Sequence, residues 1–174
     1  MADVPSDLDF ERHVHLRGRT RHPSYRRVLF GLVCLIPVAA LLNAFGESSS
    51  TSAAAGAAAT LRVEAPARVR GGLLYQVRID VEARRDLKQP ELVFSPGWWE
   101  QMTENSTNPE PIDSSTSNGR VTLSYPRLNA GQKLTVWLEF QVNPTNVGKR
   151  DANILLTDGD TPVAEVERTL TVLP

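Results

Sequence analysis

The sequence predicts an all-β fold, an antiparallel β-sandwich, preceded by one transmembrane α-helix. Three observations predict it. Two runs, Tyr75 to Ala83 and Leu134 to Val142, alternate apolar and polar residues without a break. Successive strand side chains face opposite sides, so each run reads as a half-buried strand with one wet face. Turn signals punctuate the chain around these runs: Arg70-Gly71-Gly72, Ser95-Pro96-Gly97, Asn118-Gly119, Asn129-Ala130-Gly131 and Asp158-Gly159-Asp160. Near the N-terminus stands an uncharged apolar run, Val28 to Phe45, whereas no stretch after Leu61 repeats apolar residues at helical spacing.

Residues 1–27 are polar, without helical or strand periodicity, and read as a disordered basic cytoplasmic tail. Arg17, Arg19, Arg21, Arg26 and Arg27 cluster before the apolar run. Arginine beside a span stays on the cytoplasmic side, so these residues determine the topology: N-terminus inside, everything after the span outside a plasma membrane. The bilayer is thus the first expected partner.

Residues 28–45 form the transmembrane helix. Eighteen residues at about 1.5 Å each give roughly 27 Å, close to the hydrocarbon core of a bilayer. Pro37 is expected to kink the helix. Ala40 and Ala44 make a small-xxx-small pair, the candidate helix–helix contact. A cleaved signal peptide, with cleavage after Gly46 or within the alanine-rich stretch, and a buried helix of a soluble domain are the alternatives; the polar segment before the run offers the latter little to pack on. A segment of about 27 residues before the apolar run is long for a signal. Residues 46–60, GESSSTSAAAGAAAT, read as a Ser/Ala-rich linker spanning on the order of 20 Å and at most roughly 50 Å.

Residues 61–174 form the extracytoplasmic domain. Beside the two long strands, shorter candidates are Leu61 to Ala65, Leu92 to Ser95, Val121 to Tyr125, Asn153 to Thr157 and Val163 to Val172. Glu100 to Gly119 reads as a long polar loop. About seven short strands over some 115 residues predict an immunoglobulin-like sandwich.

The order Val63-Glu64-Ala65-Pro66, Val69-Arg70-Gly71-Gly72, Leu74-Tyr75-Gln76-Val77-Arg78-Ile79-Asp80-Val81, then Asn118-Gly119-Arg120-Val121-Thr122-Leu123 and Leu128-Asn129-Ala130-Gly131-Gln132-Lys133-Leu134-Thr135-Val136, resembles the Ig-like repeat domains of bacterial cell surfaces, including the CARDB kind. The resemblance spans most of residues 61–157. It departs at Ala83-Arg84-Arg85-Asp86, where those domains commonly carry Asn and Gly. It implies structural, spacing or interaction roles and brings no catalytic residues.

Composition excludes several function classes. After the apolar run, 13 Lys and Arg face 16 Asp and Glu, so no basic stripe for nucleic acid exists there. Cys34 lies inside the apolar run, and His13, His15 and His22 lie in the tail. The exported part therefore has no disulfide, no Cys or His metal ligand and no Ser-His or Cys-His pair. No S-x-x-K spacing supports a Ser-Lys dyad. The expectation is a protein that is not an enzyme and takes no metal or cofactor.

Candidate partner contacts are Trp98 and Trp99, after a Pro-Gly turn, and Trp137, on the polar register between Val136 and Leu138. An exposed tryptophan is a strong contact residue. Packing beneath the following loop is the alternative for the first two, and covering the sheet under a loop is that for Trp137. These features predict a non-catalytic binding module held close to the membrane, accessory to another membrane or envelope protein. A cell-surface structural or wall-binding module and a secreted domain after signal cleavage are the alternatives.

Overall fold

The computed structural model describes residues 22–42 and 49–174. The chain divides into two compact units, 1–46 and 47–174. In the first, α1 spans His22–Leu41 and carries Pro37 inside it. It is long and apolar enough to cross a bilayer, with Ser24–Leu41 as its apolar window. The helix starts six residues before the apolar run, with Pro23 in its first turn, where a missing N–H costs nothing.

The second unit is an antiparallel β-sandwich, as the sequence predicts. Its strands in chain order are β1 (Ser49–Ala55), β2 (Ala59–Pro66), β3 (Arg68–Arg70), β4 (Leu74–Ala83), β5 (Pro90–Phe94), β6 (Met102–Asn108), β7 (Asp113–Ser117), β8 (Arg120–Ser124), β9 (Lys133–Val142), β10 (Gly148–Asp151), β11 (Ile154–Asp158), β12 (Thr161–Val166) and β13 (Thr169–Leu173). One sheet has the order β1-β2-β4-β9-β6, another β12-β11-β5-β8-β7, and a three-stranded sheet has the order β10-β13-β3. All pairings are antiparallel except β3 with β13.

The two alternating runs become neighbours, β4 and β9, with Val77, Ile79, Val81, Val136, Leu138 and Phe140 buried on one face. Leu92 and Phe94 of β5, Leu123 of β8, and Ile154 and Leu156 of β11 oppose them. Between the layers, Trp98 stacks on Phe140 at 5.8 Å and meets Phe94 edge-on at 6.1 Å. Tyr75 also stacks on Phe140, at 5.6 Å. Such aromatic pairs add about 0.5–1.5 kcal/mol each beyond their buried area.

Two expected irregular stretches are strands instead. Within the predicted linker 46–60, Ser49–Ala55 pairs with β2 from Ser49↔Pro66 to Ala55↔Thr60. The hairpin turns at Gly56, whose backbone lies so close to β12 that an added Cβ would stand 1.9 Å from the Val163 carbonyl oxygen. Within the predicted loop 100–119, β6 pairs with β9 and β7 with β8. Ladder hydrogen bonds come from the backbone, so these polar and small-residue strands form at sheet edges without an apolar stripe. The Asn118-Gly119 turn closes the β7–β8 hairpin, both residues with positive φ (51° and 73°), as that turn type requires.

The expected strand Val163 to Val172 is broken at Glu167-Arg168 into β12 and β13. At this break Arg168 N–H donates to Asn153 Oδ1 (2.9 Å), and Asn153 N–H donates to Ser95 Oγ (2.9 Å). The Arg168 guanidinium crosses to the first sheet. There it donates to the carbonyls of Ser50 (2.9 Å), Val63 (3.3 Å) and Ala65 (2.7 Å) and to the hydroxyls of Ser50 (2.8 Å) and Ser52 (3.1 Å). Partial burial lowers its pKa.

Candidate contact surface around Trp137

Outward positions of the first sheet alternate with its core positions, and the strand registers bring specific polar groups into rows. Along one row lie Thr51 of β1, Glu64 of β2, Arg78 of β4, Trp137 of β9 and Asn108 of β6. The next row holds Ala53, Arg62, Asp80 and Thr135. On the other side Gln76 faces Glu139, which faces Ser106. A bulge after Glu104 inserts Asn105 into the edge strand β6.

Within this face the Arg78 guanidinium lies 5.2 Å from the centre of the Trp137 ring. Its Nε is 3.2 Å from Asp80 Oδ2, and Asp80 Oδ1 accepts a hydrogen bond from Thr135 Oγ1 at 2.7 Å. The cation–π contact contributes about 0.5–1 kcal/mol at such an exposed site. Its larger effect is orientation, because Asp80 and Thr135 hold the arginine that braces the indole. Trp137 remains 37 % exposed, and the flanking Lys133 pairs with Glu82 at 3.6 Å.

Two shallow depressions meet at this tryptophan. One, of about 380 Å³, runs from Ser49, Pro66 and Leu74 past Gln76 to Arg78 and Trp137. The other, of about 450 Å³, lies between Trp137 and Ser106, Asn108 and Gln76 toward the β6 edge. The groups on offer are an aromatic face, a guanidinium, two side-chain amides and the carboxylates of Glu64 and Glu139. Groups of these kinds are able to stack and to form hydrogen bonds.

The other expected contact residues lie elsewhere. Pro96–Trp98 is a 3-10 turn, so Trp98 and Trp99 do not point to opposite faces as extended neighbours would. Trp98 is buried, 1 % exposed, and its Nε1–H donates to the Asn153 carbonyl at 3.2 Å. That corrects the expectation of a contact residue there. Trp99 is half-buried and meets Phe94 and Phe140 edge-on at 5.1 and 5.2 Å, so its ring also serves the core.

On α1, Arg26, Arg27 and Ala40 are exposed. Arg17, Arg19, Arg21 and Ala44 lie outside the described residues. Arg78 was missed in the sequence reading. Both long strands place a polar residue at these positions, but only the β4–β9 register sets Arg78 opposite Trp137. Neither a comparison with protein-family models nor one with curated proteins finds a match to this chain.

Proposed function

We propose that this chain is a single-pass plasma-membrane protein, its N-terminus cytoplasmic and its sandwich outside. The sandwich works as a non-catalytic binding module, accessory to another membrane or envelope protein. The observation that carries the reading is the braced, exposed Trp137, which gives the outer sheet face a pre-oriented anchor of the kind that dominates protein interfaces. The tether supports it too. With β1 starting at Ser49, residues 43–48 lie between Leu42, just past the helix, and the domain, and they reach at most about 25 Å. A partner within that reach is another protein of the same membrane or one lying against it.

The immunoglobulin-like kind of sandwich belongs to the same proposal. The order β2-β4-β9-β6 in one sheet and β12-β11-β5 in the other matches the A-B-E-D and G-F-C order of that fold. The β7–β8 hairpin is then an insertion that extends the second sheet. The resemblance to bacterial cell-surface repeat domains agrees with this assignment.

The test is a mild-detergent pull-down with tagged full-length protein and its Trp137→Ala variant. The expected result is a stoichiometric membrane or envelope protein whose capture falls at least about tenfold in the variant, while the thermal midpoint falls by only about 5 °C, leaving the domain folded at the assay temperature. No stoichiometric partner, or equal capture by both forms, would sink the reading. A secreted domain is the second reading, because cleavage after Gly46 would leave β1 intact. Cleavage within Ala53 to Ala58 would cut β1 or its hairpin instead. An intact mass beginning near residue 47 would establish release.

A further inference from the structure

At one end of the sandwich the turn between β3 and β4 leaves Leu73 and Leu74 47 % and 52 % exposed, and the neighbouring turn leaves Val147 51 % exposed. Backbone hydrogen bonds hold the two turns together. Gly72 N–H donates to the Val142 carbonyl at 2.9 Å, and Val142 N–H donates to the Leu73 carbonyl at 3.0 Å. Gly71 N–H reaches the Leu173 carbonyl at 3.0 Å, and Gly148 pairs with Val172 next to it. These are the domain's large exposed aliphatic side chains other than Ile112, and all three gather at this end.

The charges around them are mainly of one sign. Arg68 and Arg70 of β3 and Lys149 of β10 are exposed on two strands that reach this end, and none of the described ion pairs uses them. Of the acidic side chains nearby, Glu100 lies 3.6 Å from Arg150 Nε and is paired with it, and Glu64 lines the depression that Leu74 shares. The rest of the exported part is mildly acidic, so an apolar tip with a basic collar stands out against it.

The chain also enters the domain at this end. Ser49, the first residue of β1, pairs with Pro66 and lines the same depression as Leu74. From there β1 runs away toward Ala55 at the far end, opposite Thr60 and Glu82. The tether bound of about 25 Å therefore applies to the Leu73–Leu74 end. The far end, with Arg85 and Gly131, lies one strand length of about 30 Å beyond it.

We infer that this end is a membrane-contact surface: Leu73, Leu74 and Val147 enter the headgroup–acyl boundary of the bilayer that anchors the chain, while Arg68, Arg70 and Lys149 meet lipid phosphates. Apolar side chains at the interface gain burial, and each nearby Lys or Arg gains about 1 kcal/mol against an anionic surface. Such contact would hold the β-strands upright on the membrane and present the Trp137 face sideways, toward neighbouring membrane proteins. The inference rests on the reading of α1 as a membrane span.

The test uses full-length protein in vesicles of equal parts phosphatidylcholine and phosphatidylglycerol, with Cys34→Ser to clear the native thiol. An environment-sensitive fluorophore is attached at Leu74→Cys, at Val147→Cys or, as the far-end control, at Arg85→Cys. Lipids spin-labelled near the headgroup are expected to quench the first two at least about threefold more than the third. Replacing phosphatidylglycerol by phosphatidylcholine should reduce that difference. Equal quenching at all three positions would overturn the inference. Flotation of the same vesicles keeps the two proposals apart. Protein that floats and resists carbonate but shows no positional difference fails the contact surface alone, whereas protein that does not float fails the membrane reading and the contact surface with it. Two separate turns carry the probe, so misfolding of one variant leaves the other to decide.

Discussion

Arg168 shows how one side chain organises a region that its neighbours in sequence do not announce. Its guanidinium makes five hydrogen bonds to β1 and β2 from the break between β12 and β13. Replacing it by Met keeps much of the apolar stem and removes the guanidinium donor from the Ser50, Val63 and Ala65 carbonyls, of which Ala65 keeps the Ser50 hydroxyl. Arg168→Met is expected to cost about 2–4 kcal/mol, read as a lowered urea midpoint. The two buried tyrosines set a pH limit. Burial raises the pKa of Tyr75, whose hydroxyl donates to Met102 Sδ at 3.1 Å. It also raises that of Tyr125, with the Glu104 charge adding to the effect. A group whose folded pKa is raised stabilises the fold fully below its unfolded value and loses that contribution as pH climbs toward the folded value. Stability should therefore fall once pH passes about 10, the ordinary tyrosine value. Urea midpoints on the alkaline side check it, and Tyr75→Phe should flatten the fall.

Among the elements, β1 is the clearest departure from the sequence reading. Ser-Ser-Thr-Ser-Ala-Ala-Ala has a single β-branched residue, Thr51, and no apolar–polar alternation, and in isolation it reads as a spacer. Its strand form comes from the partners it finds: the open edge of β2, the approach of β12 at Gly56 and the guanidinium of Arg168. A domain beginning at Ala59 would lack this strand and expose the β2 edge. It is expected to be at least about 3 kcal/mol less stable than one beginning at Glu47, and to aggregate, by thermal unfolding and size-exclusion chromatography. The polar strands β6 and β7 are the same lesson at the opposite edges. Their ladders need only backbone groups, so apolar periodicity had nothing to report there. Where burial makes alternation obligatory, as in β4 and β9, the strand bounds were legible to within a residue.

For the molecule as a whole, the sequence by itself determined the class: a lone apolar helix, then a chain whose period-two patterning and glycine turns permit only a β-sandwich. It did so because burial imposes periodicity on core-facing strands and because an uncharged run of that length makes a helix long and apolar enough to cross a bilayer. The absence of cysteine and histidine from the β-sandwich was equally plain. Only the tertiary structure decided which aromatic faces water. Trp98 and Trp137 are alike as letters, yet a 3-10 turn seats one against Phe140 while strand register leaves the other under Arg78. Tertiary pairing also decided that Ser49–Ala55 is a strand, and that Leu73, Leu74 and Val147 share one end with Arg68, Arg70 and Lys149. These facts depend on contacts between residues far apart in sequence, which local pattern does not encode.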